Sequence, residues 1–218
     1  MKPLTCADVD ERLSLLLKSS ILVLAGILLN GCHHDTGTHT PDNRSVGARE
    51  STPAAHPKSM VIIGDRVNNG SVSENDHTFE CPADLIWTGR DHYDDETGQT
   101  YYYCSPAVQG EPVTVTVDST WIGPVNEGDG DYVRCAEGKV MTGRKHKGDE
   151  NKSTSYRCGT PKAKFGDLQV IPDAIWEHVG NETDSKFQCP PNKVIVGRYH
   201  YGDEDGSSST KYLCATMW

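Results

Sequence analysis

From residue 60 onward the apolar residues come in short runs of alternating character, separated by clusters of Asp, Glu, Gly, Asn and Ser. In Val140-Met141-Thr142-Gly143-Arg144-Lys145-His146, a period of two places Val140, Thr142, Arg144 and His146 on one face. In Thr154-x-Tyr156-x-Cys158 the three named residues share a face. The clusters between such runs are turn formers, so the pattern predicts hairpins. Met60-Val61-Ile62-Ile63, the run 113–117 and Leu168-Gln169-Val170-Ile171 predict a leader strand and a looped segment ahead of each hairpin. One apolar stretch differs. The nine residues 21–29 are unbroken, too short to span a bilayer as a helix but suited to the apolar region of a signal peptide.

The hairpin pattern occurs three times. The first copy carries Phe79-Glu80-Cys81-Pro82, Gly89-Arg90-Asp91-His92, Asp95-Glu96 and Thr100-Tyr101-Tyr102-Tyr103-Cys104. The second carries Val133-Arg134-Cys135, Gly143-Arg144-Lys145-His146, Asp149-Glu150 and Thr154-Ser155-Tyr156-Arg157-Cys158. The third carries Phe187-Gln188-Cys189-Pro190, Gly197-Arg198-Tyr199-His200, Asp203-Glu204 and Thr210-Lys211-Tyr212-Leu213-Cys214. The first Cys, the Gly-Arg pair and the His recur every 54 residues. The fold class expected is all-β: three tandem stapled hairpin repeats, packed as one pseudo-threefold domain. The boundaries are 60–110, 111–165 and 166–218. A leader Trp stands at Trp121 and Trp176, but the first copy has Asn68 there.

The cysteines change the picture ahead of the repeats. The apolar stretch ends in Leu29-Asn30-Gly31-Cys32, which resembles a bacterial lipobox. The resemblance implies a signal peptide over 1–31, lipidation of Cys32, and a membrane anchor. His33 rather than Asp follows Cys32, which implies sorting to the outer membrane, facing the periplasm or the cell surface. The stretch before Lys18 is long and carries Asp8, Asp10 and Glu11, so translation could start further downstream. Residues 32–59 form a polar tether with an end-to-end distance of roughly 30 Å if it is a flexible coil. Of the eight Cys, Cys6 leaves with the signal peptide and Cys32 takes the lipid. Six remain in an oxidising compartment. The expected pairs are Cys81–Cys104, Cys135–Cys158 and Cys189–Cys214. Each would contribute about 3 kcal/mol to a unit too small to bury a large core.

Composition narrows the function. Apolar residues are 35%, mean hydropathy is −0.57 and the formal net charge is −10. A chain this acidic, with no basic block, is poorly suited to phosphate backbones, so no nucleic-acid partner is expected.

The recurring polar residues allow three readings. Arg90, Arg144 and Arg198 could form bidentate ion pairs with Glu96, Glu150 and Glu204 from the following turn, with His92, His146 and His200 in the same network. This structural frame is the favoured reading. The same groups, with Trp and Tyr, could instead hold sugars at three equivalent sites. Asp203 and Asp205 have the spacing of a Ca²⁺ loop, but Thr97 and Asn151 replace the second Asp elsewhere, so a turn is the simpler account. No other cofactor is expected. Catalysis is disfavoured, because a reaction needs one site with differentiated roles and these residues repeat in near-identical form. Trp121 and Trp176 could stack on a sugar, though packing on a disulfide is favoured. Trp87 is expected in the core, and Trp218 over the last strand. Tyr93 and Tyr199 should point opposite to Arg and His and leave aromatic surface exposed.

The layout Trp176, Phe187-x-Cys189-Pro190, Arg198-x-His200, Glu204, Tyr212-x-Cys214 resembles dermatopontin-type repeats, at the level of spacing and in all three copies. The Asp-Arg-x-Trp of that family is replaced here by Ser/Thr-Thr-x-Tyr. The resemblance implies extracellular adhesion and, in some members, carbohydrate binding. The expectation is a non-enzymatic, lipid-anchored binding protein of the bacterial envelope whose ligand is a glycan or a protein. The alternatives are an immunity lipoprotein neutralising a periplasmic toxin or effector such as a phospholipase, a calcium-dependent adhesin, and a host-lysozyme inhibitor.

Overall fold

The computed structural model describes residues 59–94, 98–148, 152–181, 183–202 and 208–218, all within one unit, Ala54–Trp218. Among them the regular structure is entirely β. The first copy forms β1 (Ile62–Ile63), β2 (Val67–Ser73), β3 (Asp76–Glu80), β4 (Leu85–Tyr93) and β5 (Gln99–Gln109). The second forms β6 (Glu111–Pro112), β7 (Thr114–Asn126), β8 (Asp129–Arg134), β9 (Val140–Lys147) and β10 (Ser153–Ala163). The third forms β11 (Gly166–Asp167), β12 (Val170–Pro172), β13 (Glu177–Gly180), β14 (Lys186–Gln188), β15 (Val194–Tyr201) and β16 (Ser209–Met217). The expected all-β repeat architecture is what the chain adopts.

Each copy builds a sheet on its own hairpin, β4–β5, β9–β10 or β15–β16. In these Arg90 faces Tyr102, Arg144 faces Tyr156 and Arg198 faces Tyr212 across the strands. The leaders β2, β7 and β13 add to the second hairpin strand. The segment expected to be a mere loop holds a further strand, and that strand leaves its own copy. β3 of the first copy pairs with β9 of the second, β8 of the second with β15 of the third, and β14 of the third with β4 of the first. A lone hairpin is marginal in water and exposes unpaired edges. Handing one strand on in a closed cycle covers the edge of every first hairpin strand.

Where the guest strand arrives, the host needs glycine. A Cβ on Gly89 would lie 2.7 Å from the Phe187 carbonyl oxygen, and one on Gly143 would lie 2.7 Å from that of Phe79. At Gly197 it would meet the Trp176 ring at 2.6 Å. Just before each glycine the register slips by one residue, at Thr88, Thr142 and Val196. The carbonyls of these residues accept from the N–H groups of Cys189, Cys81 and Cys135 at 3.0, 2.8 and 2.9 Å. This bulge corrects the expected alternation of Val140, Thr142, Arg144 and His146. Met141 joins the central cluster beside Arg144, while Val140 joins a second one.

The three expected disulfides form, with Cα atoms 5.8, 5.9 and 5.9 Å apart. Each ties the end of the exported strand to the second hairpin strand of its own copy, and so joins two sheets. The central cluster gathers these disulfides with Phe79, Trp87, Tyr102, Met141, Tyr156, Phe187, Ile195 and Tyr212. Trp87 is fully buried, as expected. Phe79 stacks on Tyr102 with centroids 3.9 Å apart, and Phe187 on Tyr212 at 4.2 Å. The second cluster, with Val61, Ile86, Val140, Val194 and Met217, joins the two chain ends of the unit, where Val61 N–H donates to the Met217 carbonyl at 3.0 Å.

Candidate functional site

The polar residues that repeat most faithfully meet inside the molecule. Arg90, Arg144 and Arg198 lie next to the bulge on the inward side of β4, β9 and β15, and all three are buried. The carboxylates they meet among the described residues are Glu74 and Glu127, from the segment before each exported strand. Glu96, Glu150 and Glu204, the expected partners, lie outside the described residues. Arg144 Nη1 donates to Glu74 Oε1 and, at 3.0 Å, to the Tyr102 hydroxyl. Its Nη2 donates to Glu127 Oε2 at 2.5 Å. Arg90 Nη2 is 3.1 Å from Glu74 Oε2, and Arg198 Nη1 pairs with Glu127 Oε1. Each acid therefore sits between arginines of two successive copies: Glu74 between the first and second, Glu127 between the second and third.

Threonine and histidine complete the centre. Thr100 donates to Glu74 Oε2, and Thr154 donates to Glu127 Oε2 at 2.5 Å. Behind them His92 Nδ1 lies 2.8 Å from Thr100 Oγ1, and His146 Nδ1 lies 2.7 Å from Thr154 Oγ1. His200 Nδ1 makes the same contact with Thr210 at 2.8 Å. In the first two copies the threonine protons are committed to the acids, so His92 and His146 donate to the hydroxyls; in the third, His200 Nε2 donates to the Gly202 carbonyl at 3.1 Å, which leaves its Nδ1 to accept from Thr210. The polar order in the first two copies is therefore His to Thr to Glu.

The electrostatics are set by burial and by the arginines. Burial alone would push the Glu74 carboxyl up, but Arg144, Arg90 and His77 with the Thr100 hydrogen bond outweigh it and hold it well below the usual carboxylate range. His77 comes from the first copy only. Its Nδ1 is 3.2 Å from the Glu74 carbonyl oxygen, so it donates there, while Nε2 accepts from the Tyr102 hydroxyl at 2.8 Å and from Arg144 at 3.3 Å. Burial and then the Arg144 charge push this imidazole down to about 4, against the pull of Glu74. The neutral ring is the form that fits these partners.

The described guanidiniums, imidazoles and carboxylates of this centre are buried, and of them His77 and His146 also line an open cavity of about 290 Å³. Buried ion pairs contribute uncertain net stability, yet removing one partner is costly, which suits a network that fixes how three copies meet.

The opposite faces of the same sheets carry what differs between copies. On the first sheet Tyr93 and Tyr101 pack edge to face at 5.8 Å. Arg66 lies 4.1 Å over the Tyr103 ring and Lys186 lies 4.7 Å over Tyr93. Asn68 and the three tyrosines line a shallow cavity of about 280 Å³. On the third sheet Tyr132 stands 4.9 Å from Trp176 and 4.3 Å from Tyr199, with Lys211 4.8 Å over Tyr199. On the second sheet Trp121 is covered by Arg157 at 5.4 Å, and Lys147 stands where the other copies have Tyr93 and Tyr201.

No family model, curated protein or solved structure matches this chain. The geometry alone therefore ranks its residues. Trp121 and Trp176, expected on the disulfides, lie instead half-buried at the outer faces, since the disulfides are already enclosed by the exported strands. Tyr93 and Tyr199 point outward as expected and are half-buried. Cys32, Asp203 and Asp205 lie outside the described residues, and among the described residues no group of three His, Cys, Asp or Glu could hold a metal ion. Glu74 and Glu127 were not singled out from sequence. The signal was present, because each copy places a Glu seven or eight residues before its first Cys, the third being Glu182.

Proposed function

We propose that this chain is a non-enzymatic binding module of the bacterial envelope, anchored at the outer membrane by lipid on Cys32, which binds carbohydrate on the aromatic outer faces of its first and third sheets. The observation that carries the reading is the division of labour within each sheet. The repeated Arg, His, Glu and Thr are consumed by one another inside. The outward positions hold Tyr and Trp beside Lys, Arg and Asn, the groups that stack on sugar rings and hydrogen-bond hydroxyls. The Tyr93, Tyr101 and Tyr103 cluster is shallow and pre-formed, which fits one or two sugar units. The lipobox-like segment supports the anchor, and the spacing shared with dermatopontin-type repeats supports adhesion. A glycan array probed with the soluble chain, Cys32 replaced by Ser, tests it. Binding is expected for a defined glycan class and lost in Tyr101→Ala/Tyr103→Ala. An array without hits would overturn the carbohydrate assignment.

A second reading, a protein partner neutralised in the periplasm, draws on the exposed Phe165, Ile175, Tyr132 and Tyr201, which are 80%, 74%, 55% and 52% accessible. Such residues serve as anchors in protein interfaces. Recovery of one stoichiometric basic protein, with its loss on Ile175→Asp, would favour this reading over the first.

A further inference from the structure

The three junctions where a copy's first Cys meets the next copy's leader are equivalent in backbone but not in chemistry. At the first junction Asp84 Oδ1 accepts from Val115 N–H at 2.9 Å, and Glu80 pairs with Arg157 at 2.6 Å. At the junction of third and first copies, Asn192 Oδ1 accepts from Ile63 N–H at 3.2 Å, and Gln188 accepts from Arg66 at 3.4 Å. In both, the turn residue at φ of 61° or 62° reaches over and caps one outward amide of the leader.

The remaining junction lacks both devices. The turn position is Gly138, and the residue before Cys135 is Arg134 rather than an acid or amide. Gln169 and Trp218 exchange both backbone hydrogen bonds, at 2.9 and 3.0 Å, so the next pair, Val170 and Met217, is of the non-hydrogen-bonded kind. The Val170 N–H therefore points away from β16, as those of Val115 and Ile63 do. No described group accepts from it. Arg134 is exposed, and no described carboxylate pairs with it. Both residues line a cavity of about 380 Å³, against about 260 Å³ at the junction holding Asn192. Its lining includes the apolar Val196, Leu213 and Ile171. Of the other charges there, Lys139 is held by Asp118 at 2.7 and 2.8 Å, and Glu137 is exposed at the rim.

We infer that this cavity is a binding site for a small organic carboxylate with an apolar body. Its carboxylate takes the place that the Asp84 side chain fills at the first junction, accepting from Val170 N–H and pairing with Arg134. Its hydrocarbon lies on Val196 and Leu213. The volume is that of small-ligand sites and holds a short acyl acid or an acylated amino acid. This site stands apart from the outer aromatic faces and does not rest on the carbohydrate reading.

The test restores the missing cap. Gly138→Asp places at φ 75° the residue that Asp84 already carries at φ 61°, and a Cβ at Gly138 meets no atom within 4 Å, so the variant folds. Amide-resolved NMR of the mature chain is followed while hexanoate, N-acetyl-leucine and, as a control, hexan-1-ol are added. A saturable shift of the Val170 amide is expected with the two carboxylates and not with the alcohol. Gly138→Asp should weaken it at least tenfold, and Arg134→Gln should weaken it several-fold while leaving the rest of the spectrum in place. The absence of a saturable shift in the unmodified chain, or equal binding by Gly138→Asp, would overturn the site.

Discussion

The two faces of each sheet obey different rules. Inward, all three copies carry Arg, His, Thr and Tyr at matching positions: Arg90, Arg144 and Arg198; His92, His146 and His200; Thr100, Thr154 and Thr210; Tyr102, Tyr156 and Tyr212. Outward, one residue away on the same strands, the copies diverge. Asp91 corresponds to Lys145 and Tyr199, and Tyr103 to Arg157 and Leu213. The physical difference is mutual dependence. Glu74 is shared by arginines of two copies, as is Glu127, so changing one inner position strands a charge in another copy. The outer side chains are not tied to a shared carboxylate of another copy and are free to differ, from the half-buried Tyr103 to Leu213, which packs in the second cluster. Identity across copies here marks assembly, and under the proposed function divergence marks where a ligand would be told apart.

The sharpest way to break this contrast is to delete one arginine from each face. Arg144→Ala leaves Glu74 and Glu127 short of a buried cation and should cost about 3–5 kcal/mol, a large part of the stability of a domain this size. Arg157→Ala, on the outer face, loses a partly exposed pair with Glu80 and should cost at most about 1 kcal/mol. Urea unfolding followed by Trp fluorescence measures both. Comparable losses would mean that the central network does not hold the copies together.

Much of this organisation is legible in the chain itself. The 54-residue period, the hairpins, the cysteine pairs and the outward direction of Tyr93 and Tyr199 follow from alternation and from the spacing of Cys81 to Cys104 and its repeats. Strand exchange is not legible in this way. β3, β8 and β14 are short and carry one inward apolar residue each, Phe79, Val133 or Phe187, which suits any neighbouring edge equally. The exported strand is held on its host by the Cys N–H bond to the bulge before the Gly-Arg pair, a long-range contact. The part played by Glu74 and Glu127 was hidden for the same reason, because they reach the centre just ahead of strands that have crossed to another sheet; Glu96, Glu150 and Glu204 of the acidic turns lie outside the described residues. The outer faces could be read as aromatic but not grouped, since Tyr132 meets Trp176 and Tyr199 only because β8 is a guest beside β15.

An acid titration sharpens the comparison at an inner site that only one copy has. The folded protein holds His77 at about 4, while the unfolded chain binds a proton near the ordinary histidine value of about 6.5. Because the folded value is depressed, the neutral ring favours folding above 6.5, and this contribution is lost as pH falls from about 6.5 toward 4. The loss is about 3 kcal/mol. The Glu74 contribution has the carboxylate sign: it is present above the usual carboxylate value and persists until pH falls through its depressed one. The difference in unfolding free energy between the native chain and His77→Gln, measured from pH 7 to 4.5, should therefore shrink steadily with acidification. A difference independent of pH would mean that His77 titrates normally and that the centre is wetter than its burial implies.

A small effect on stability is also expected at the outer tyrosines, and it separates their two candidate roles. Tyr101 and Tyr103 are half-buried neighbours of the fully enclosed Tyr102 on one strand. Tyr103 donates to Asp91 at 2.9 Å and lies under Arg66, contacts open to water on one side. Cation–π pairs at exposed sites are worth about 0.5–1 kcal/mol. Replacing both outer tyrosines by Ala should therefore cost no more than about 2 kcal/mol and leave the three disulfides and the cooperative unfolding intact. If the same variant loses a glycan bound by the native chain at least tenfold, the aromatic face is there for recognition. A cost near that of Arg144→Ala would instead make the outer tyrosines part of the frame, and the distinction between the two faces would fall.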